Sequence, residues 1–464
     1  VRIALLADFH LGFKGSNPSD PRFEDAFTLA DEAMRLAAER ADVILVAGDI
    51  FDRPRFSTEI FNRALDVFSP KGASDVSITL SDGTEPRFLG VPVIAVHGNH
   101  DVPAEIHKNP VLLLEKAYRL VYLGKHHRTA VMRKGDECVR VVGVGWIPDA
   151  DPRVPQRFFS ERVPAPELGC FNILLFHQPL RGIGSYVGGN PLDVSYLPPG
   201  FDAYVTGHLH WHVEKRVSDR WIIVPGSTIR TQLTDREVVS PRAFWILDTE
   251  KGTVEEVVLP SARAGYLVRV DASSPDVVQQ IDAELARIAA QSHEKKPIVK
   301  LVLEGRVSVV PDLSRVLSRY SDRLLVYVFD RTTTSVSEVV ERTLSQMRSS
   351  EVFSEEYLWK TLSELLSAAG YKTTTAFSKI LRELSSLDPE DLDPSRLSDV
   401  LVSEDCFVVA KEWNKGTKED RDAQPDSVEM DEEKRSDVGG APRTEPNSRK
   451  NPTPPREGIL RYIE

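Results

Sequence analysis

The chain has 464 residues, 41% of them hydrophobic, and a formal net charge of −12. That length fits two or three domains with a sizeable core, and no apolar run approaches the roughly 20 residues that a membrane-spanning helix needs. The acidic balance weighs against a nucleic-acid partner without excluding one, because a local basic groove can coexist with acidic outer faces.

The first ten residues, VRIALLADFH, lack a basic n-region and a small-residue cleavage site, so they read as a first strand rather than a signal peptide. Apolar runs at 2–8, 42–49, 92–100, 172–177 and 202–208 read as buried strands of a layered α/β sheet. Between the first two lies FEDAFTLADEAMRLAAERA, amphipathic at helical spacing. Residues 71–90 read as a surface insertion or hairpin, and 178–200 as a long Gly- and Pro-rich loop. Further strands at 137–146, 213–217, 221–225, 242–248 and 254–259 suggest a second, more antiparallel sheet packed on the first. The three cysteines, Cys138, Cys170 and Cys406, form no CxxC pair; they read as buried, inert thiols in a reducing compartment, not as a zinc site.

From 265 to 330 the order strand, helix, strand, short helix, strand makes a small α+β domain, with 331–336 as a linker. Residues 337–402 carry three helical patterns, with Ser337 and Ser354 as N-cap signals and Gly370 as a C′ residue. Residues 411–457 are dense in Lys, Asp, Glu, Pro, Gly and Ser, a composition that predicts disorder. The chain closes on GILRYIE, read either as a frayed end or as a docking peptide.

The chemistry sits where polar residues end the apolar runs. IALLAD ends in Asp8, with His10 two residues on; VILVAGD ends in Asp49; VIAVHGNH ends in Asn99 and His100; ILLFH ends in His177; YVTGHLH ends in His208 and His210. Five strands thus deliver carboxylate, amide or imidazole groups at their carboxyl ends, the edge where layered α/β folds build ligand sites. Each residue alone has a bland reading as a turn, cap or core group; five coincidences do not. Imidazole, carboxylate and amide oxygen together suit divalent Mn, Fe or Zn. Two such ions about 3.5–4 Å apart clamp an in-line phosphoryl displacement. Holding them that close needs a bridging carboxylate, and Asp49 is central in the set.

The motifs D-x-H, GD, GNHD, H and GH-x-H, in that order and each after a strand, resemble the calcineurin-like metallophosphoesterase superfamily over roughly residues 1–260. Within it, ALLADFHLG, AGDIFDRP, VIAVHGNHD, LLFHQPL, DAYVTGHLH and VPGSTIR resemble the meiotic-recombination-eleven/SbcD family, the nuclease subunit of the DNA double-strand-break repair complex. The resemblance implies a two-sheet α/β sandwich flanked by helices at 1–262, a DNA-binding α+β cap at 263–331 and a helical ATPase-binding segment at 337–402; the tail at 411–464 is read from composition alone. It implies two Mn ions, one held by Asp8, His10, Asp49 and His210, the other by Asp49, Asn99, His177 and His208. His100 would be the catalytic acid or transition-state stabiliser, and Asp101 would either orient His100 or cap a helix.

The implied activity is 3′→5′ double-strand exonuclease and single-strand endonuclease. The implied partners are DNA, a coiled-coil ABC-type ATPase and a second copy of the chain, with no membrane, in a prokaryotic, nucleoid-associated, cytoplasmic setting. The alternatives are a phosphatase of the same superfamily and a non-catalytic scaffold. One departure is Asp52, where many members carry His; Arg53 and Arg55 beside it either contact phosphate or face solvent. His97 and His212 read as structural or as supports behind the donors, and Ser227 is a candidate to line the site.

Overall fold

Ile3 and Leu5 leave the first strand on one side and Ala4 and Leu6 on the other, and all four are buried. A strand buried on both faces must lie inside a layered structure, and the rest of the domain follows from that. The computed structural model describes residues 1–15, 20–102, 109–124, 129–148, 151–183, 190–217, 219–307, 311–333, 371–373 and 407–409.

The strands of the first 260 residues are β1 (Arg2–Leu6), β2 (Val43–Ala47), β3 (Ser77–Leu80), β4 (Val93–Val96), β5 (Val121–Tyr122), β6 (Thr129–Lys134), β7 (Glu137–Val144), β8 (Phe171–Phe176), β9 (Leu180–Arg181), β10 (Leu192–Asp193), β11 (Ala203–Thr206), β12 (Val213–Val217), β13 (Arg220–Val224), β14 (Ala243–Asp248) and β15 (Thr253–Val258). The helices are α1 (Arg22–Arg40), α2 (Thr58–Val67), α3 (Val111–Lys116), α4 (Arg153–Glu161) and α5 (Asp235–Val239). One sheet has the order β15-β14-β1-β2-β4-β5 and the other β12-β13-β11-β8-β7-β6-β3. β1, β2 and β4 run parallel, as do β7, β8, β11 and β13.

The sheets face each other across one apolar layer. Ile3, Leu5, Val43, Leu45 and Ile94 meet Val139, Val141, Ile173, Leu175 and Val205 there. The outer face of the first sheet takes α1 through Phe27, Ala30, Ala33, Met34 and Ala37, whose three- and four-residue spacing is the buried stripe of an amphipathic helix. The outer face of the second takes Phe158 and Phe159 of α4 against Leu174 and Phe176. Emptying one such site, for example by Ile173→Ala, costs about 2–5 kcal/mol.

Strand membership differs from the sequence expectation. The runs at 172–177 and 202–208 are β8 and β11 of the second sheet, whereas 242–248 and 254–259 are β14 and β15 of the first. A continuous apolar run reports burial on both faces, which both sheets impose, and so does not tell them apart. The 71–90 segment supplies β3, whose Ile78 and Leu80 enter the inter-sheet core as it pairs with β6. The 178–200 loop contains a short parallel pair, β9 with β10.

Cys138 and Cys170 form a disulfide, with Cα atoms 4.6 Å apart. The expectation of inert thiols is corrected for these two, and with it goes their argument for a reducing compartment. The parallel register that sets Val139 opposite Phe171 brings the preceding cysteines side by side. A separation of 32 residues hid this pairing from sequence spacing.

Among the described residues, one compact unit comprises Val1–Tyr266 and His293–Ile298, and a second Leu267–Ser292 and those from Val299 on. A three-stranded sheet of β16 (Gly265–Asp271), β17 (Ile298–Glu304) and β18 (Leu325–Asp330) accompanies α6 (Val277–Ala289) and α7 (Ser314–Tyr320). Val277, Ile281, Leu285 and Ile288 form the buried stripe of α6. The expected linker begins as structure instead: Arg331 and Thr333 donate their amides to the carbonyls of Leu303 and Gly305.

Within the segment read as helical, Tyr371–Thr373 is a strand, β19, paired antiparallel with β20 (Phe407–Val409). Tyr371 and Thr373 are residue types that favour that state. The remainder of 337–402, with its three helical patterns, and the 411–464 tail lie outside the described residues.

Candidate metal centre

β1, β2 and β4 of one sheet and β8 and β11 of the other end beside one another, and every candidate donor sits in the turn after one of them. Four of these turn residues take a left-handed backbone: Asp8 (φ 53°), His10 (φ 47°), Asp49 (φ 51°) and His208 (φ 78°). Non-glycine residues pay about 1–3 kcal/mol for conformations this sparsely populated, and such strain collects at functional sites. Gly98 packs so close to Asp49 that any side chain there would collide with the Asp49 carboxylate and amide.

Asp8, His10, Asp49, His177 and His210 are buried, and Asn99, His100 and His208 partly so. His10 Nε2 and His210 Nε2 are 3.1 Å apart. One oxygen of Asp49, Oδ2, faces His10 Nε2 at 3.8 Å and His177 Nε2 at 3.4 Å. Its other oxygen accepts the His100 amide at 2.8 Å. Asn99 Oδ1 stands 3.2 Å from His177 Nε2 and 2.9 Å from His208 Nδ1. Three overlapping donor groups result: Asp8, His10 and His210; His10, Asp49 and His100; Asp49, His177 and His208. The structure therefore brings all seven predicted donors, and His100, to one place.

The donor set fits divalent cations. His177 Nδ1 donates to the carbonyl of Ala47 at 2.7 Å, which leaves its Nε2 lone pair facing the oxygens of Asp49 and Asn99. His210 Nδ1 points at Glu237 Oε1, 3.2 Å away, so its Nε2 lone pair faces His10. Acceptors confronting acceptors in a buried place need positive charge between them. Without a cation, protons supply it. Burial works against a charged His177, but Asp49 and Asp8 push its pKa up to about 9. Burial alone would raise Asp49, yet the charge and hydrogen bond of His177 hold it below the usual carboxylate range. His208 is depressed to about 3, by burial first and the nearby His177 charge second.

His100 turns Nδ1 to the main-chain carbonyl of Asp52 at 2.8 Å. Among the described residues Asp101 does not reach that ring, and any helix it would cap lies outside them. Its carboxylate accepts from the amides of Ile50 (3.2 Å), Phe51 (2.9 Å) and Gly98 (2.9 Å), tying the turn after β2 to the turn after β4. Burial, then the charge of Asp49, pushes its pKa up to about 7.

Ser227 does line the site, donating to the Asp8 carbonyl at 2.6 Å. His97 is bonded to the Tyr122 hydroxyl at 2.6 Å, and His212 to Glu256 at 2.8 Å. Arg53 is 78% exposed, its Nε 3.5 Å from Asp52, and Arg55 is exposed too.

Sequence reasoning missed Glu237. It lies on α5, fully buried, with Arg242 and Arg230 donating to its main-chain oxygen. Burial would raise its carboxyl, but His210 brings it down to about 2. A signal was available: Thr234 and Glu237 have capping-box spacing, and Thr234 Oγ1 does accept the Glu237 amide at 3.2 Å. The glutamate, however, spends its carboxylate on His210 rather than on the cap.

Residues 1–212 match the family model described as calcineurin-like phosphoesterase. The chain carries a calcineurin-like metallophosphoesterase domain, of the two-sheet α/β kind the sequence motifs implied. Beyond that domain, the similar curated proteins are double-strand break repair proteins named MRE11. That of Encephalitozoon cuniculi is 26% identical over 298 residues, covering 60% of this chain and 51% of its own length. That of Arabidopsis thaliana is 28% identical over 307 residues, covering 56% and 41%. The human protein is 23% identical over 386 residues, covering 70% and 53%. The chain thus spans about half the length of the curated relatives it matches. These relatives are eukaryotic, which gives the expected prokaryotic, nucleoid-associated setting no support. Among the described residues no helix is long and apolar enough to cross a membrane.

Proposed function

We propose that the protein is a two-metal DNA nuclease that trims double-stranded ends 3′→5′ and cuts single strands during double-strand-break repair. The observation that carries the phosphoesterase part is Asp49 Oδ2, one carboxylate oxygen facing donor groups on both sides. The choice of DNA draws on similarity to relatives named for double-strand break repair.

Asp8, His10, Asp49 and His210 would hold one Mn ion, and Asp49, Asn99, His177 and His208 the other. When bound, the pair would supply charge stabilisation for an in-line phosphoryl displacement and a nucleophile at neutral pH. The chain's own residues do the rest. The Asp52 carbonyl fixes the His100 ring through Nδ1, so Nε2 is the nitrogen left to give a proton to the leaving oxygen. Asp101 holds the His100 turn against the Asp49 turn. The strained backbone at Asp8, His10, Asp49 and His208 keeps the donors preorganised.

The α+β unit after residue 262 would act as a DNA-binding cap, residues 337–402 would dock a coiled-coil ABC-type ATPase, and the chain would work as a homodimer. These assignments follow the family resemblance; deleting 337–402 should spare cleavage and abolish ATPase co-purification.

The decisive assay uses the purified chain, Mn²⁺ and end-labelled duplex DNA, with and without EDTA. Mn-dependent shortening from the 3′ end supports the reading. Hydrolysis of a nitrophenyl phosphate monoester with no action on DNA replaces it with a phosphatase.

A further inference from the structure

The two halves of the donor set are built differently. Asp8, His10 and His210 make one half. Asn99, His177 and His208 make the other, and Asp49 Oδ2 faces both. Two more carboxylates stand behind the first half. Glu237 Oε1 lies 3.2 Å from His210 Nδ1, beside Thr231 Oγ1 at 2.8 Å, and is pinned by the Thr231 amide at 2.8 Å. Asp52 Oδ1 lies 3.6 Å from His10 Nδ1, a buried ring nitrogen with no hydrogen-bond partner among the described residues. The second half adds only neutral donors, and His177 is backed by the neutral carbonyl of Ala47 at 2.7 Å.

We infer that the two cation sites are unequal by construction, with Glu237 and Asp52 as positioning residues that make the Asp8–His10–His210 half the tighter one. The inference rests on the two-ion reading above and deepens it. Neither carboxylate need ligate. Glu237, within hydrogen-bond reach of His210 Nδ1, fixes the tautomer that presents Nε2 and strengthens that nitrogen as a donor, whereas Asp52, beyond hydrogen-bond distance at 3.6 Å, acts on His10 through its charge. Each also places negative charge beside the first half. Asp52 thereby gains a role of its own at a position where the resembling family often has an imidazole: its side chain backs His10, while its carbonyl orients His100.

The test needs only the full chain, stripped with EDTA, and Mn²⁺, followed by calorimetric titration and by the electron-spin signal of free Mn²⁺. Two steps separated by about tenfold or more are expected, and Asn99→Ala should remove the weaker one. Glu237→Gln and Asp52→Asn should each weaken the tighter step by about 10–100-fold and move the weaker step by no more than about threefold. Glu237→Asp should recover part of the loss, and Thr231→Val should cause none.

Two equal steps in the parent chain would overturn the inference. So would Glu237→Gln weakening both steps together, which is what a purely structural role produces. Glu237 is fully buried, so if its variant melts early in EDTA the decision passes to Asp52→Asn, on a loop. Because no DNA is present, unequal Mn²⁺ binding by a chain that cuts no DNA would sink the nuclease reading and leave this one standing.

Discussion

His100 Nδ1 lies 2.8 Å from the main-chain oxygen of Asp52, so the nitrogen left to meet a substrate is Nε2. The contact uses backbone, and it survives whatever side chain occupies position 52. His100→Asn should keep both Mn²⁺ binding steps and DNA binding while lowering the cleavage rate by about 100-fold or more. Single-turnover cleavage beside a metal titration checks this; a variant cutting within about tenfold of the parent removes His100 from the proton transfer.

Asp101 satisfies three buried amides from two turns. Asp101→Ala orphans all three and should cost about 3–5 kcal/mol of folding stability, whereas Asp101→Asn, which keeps an acceptor oxygen, should cost about half as much. Urea denaturation in EDTA separates this from metal binding. A loss under about 1 kcal/mol for the alanine variant would mean that the turns hold without the carboxylate.

The pKa of His177 is pushed up to about 9, against its burial, by the Asp49 and Asp8 carboxylates. At pH 7 the ion-free ring therefore carries a proton on the nitrogen that would ligate, and that proton would have to leave. Apparent Mn²⁺ affinity should rise with pH, by about tenfold per unit, and level off above about 9. Titrations near pH 7.5 in buffers of different ionisation enthalpy should report about one proton released. Buffer-independent heats would contradict the assignment.

The Cys138–Cys170 bridge closes a loop of 32 residues. Cys138→Ala should lower stability by about 3–4 kcal/mol if the bridge acts by restraining the unfolded chain. Mass spectrometry of a digest made without reductant should find the two cysteine peptides joined. Their complete alkylation in the folded, unreduced protein would exclude the bridge.

The donor atoms were legible because five strands end in them, and a polar residue closing an apolar run is visible in one dimension. What stands behind the donors was not. Glu237 reaches His210 from a five-residue helix too short to show a period. Asp101 ties turns some 50 residues apart in sequence. The edge strand at Ser77–Leu80 is four residues long, and its buried Ile78 and Leu80 are too few to announce a strand inside a polar segment. Which sheet each strand joins depended on pairings such as β1 with β14, made across the whole domain.

That last pairing sets Ile3 opposite Leu247. All seven donors have been synthesised once His210 leaves the ribosome, yet the strand that carries Asp8 still shows a bare edge. It waits for β14, and His210 waits for Glu237, so a strand made well before its partner is among the last secured. A nascent chain paused between these points presents an unpaired, apolar strand to its neighbours. Protection from co-translational aggregation over that interval becomes a requirement on the cell rather than on the folded protein.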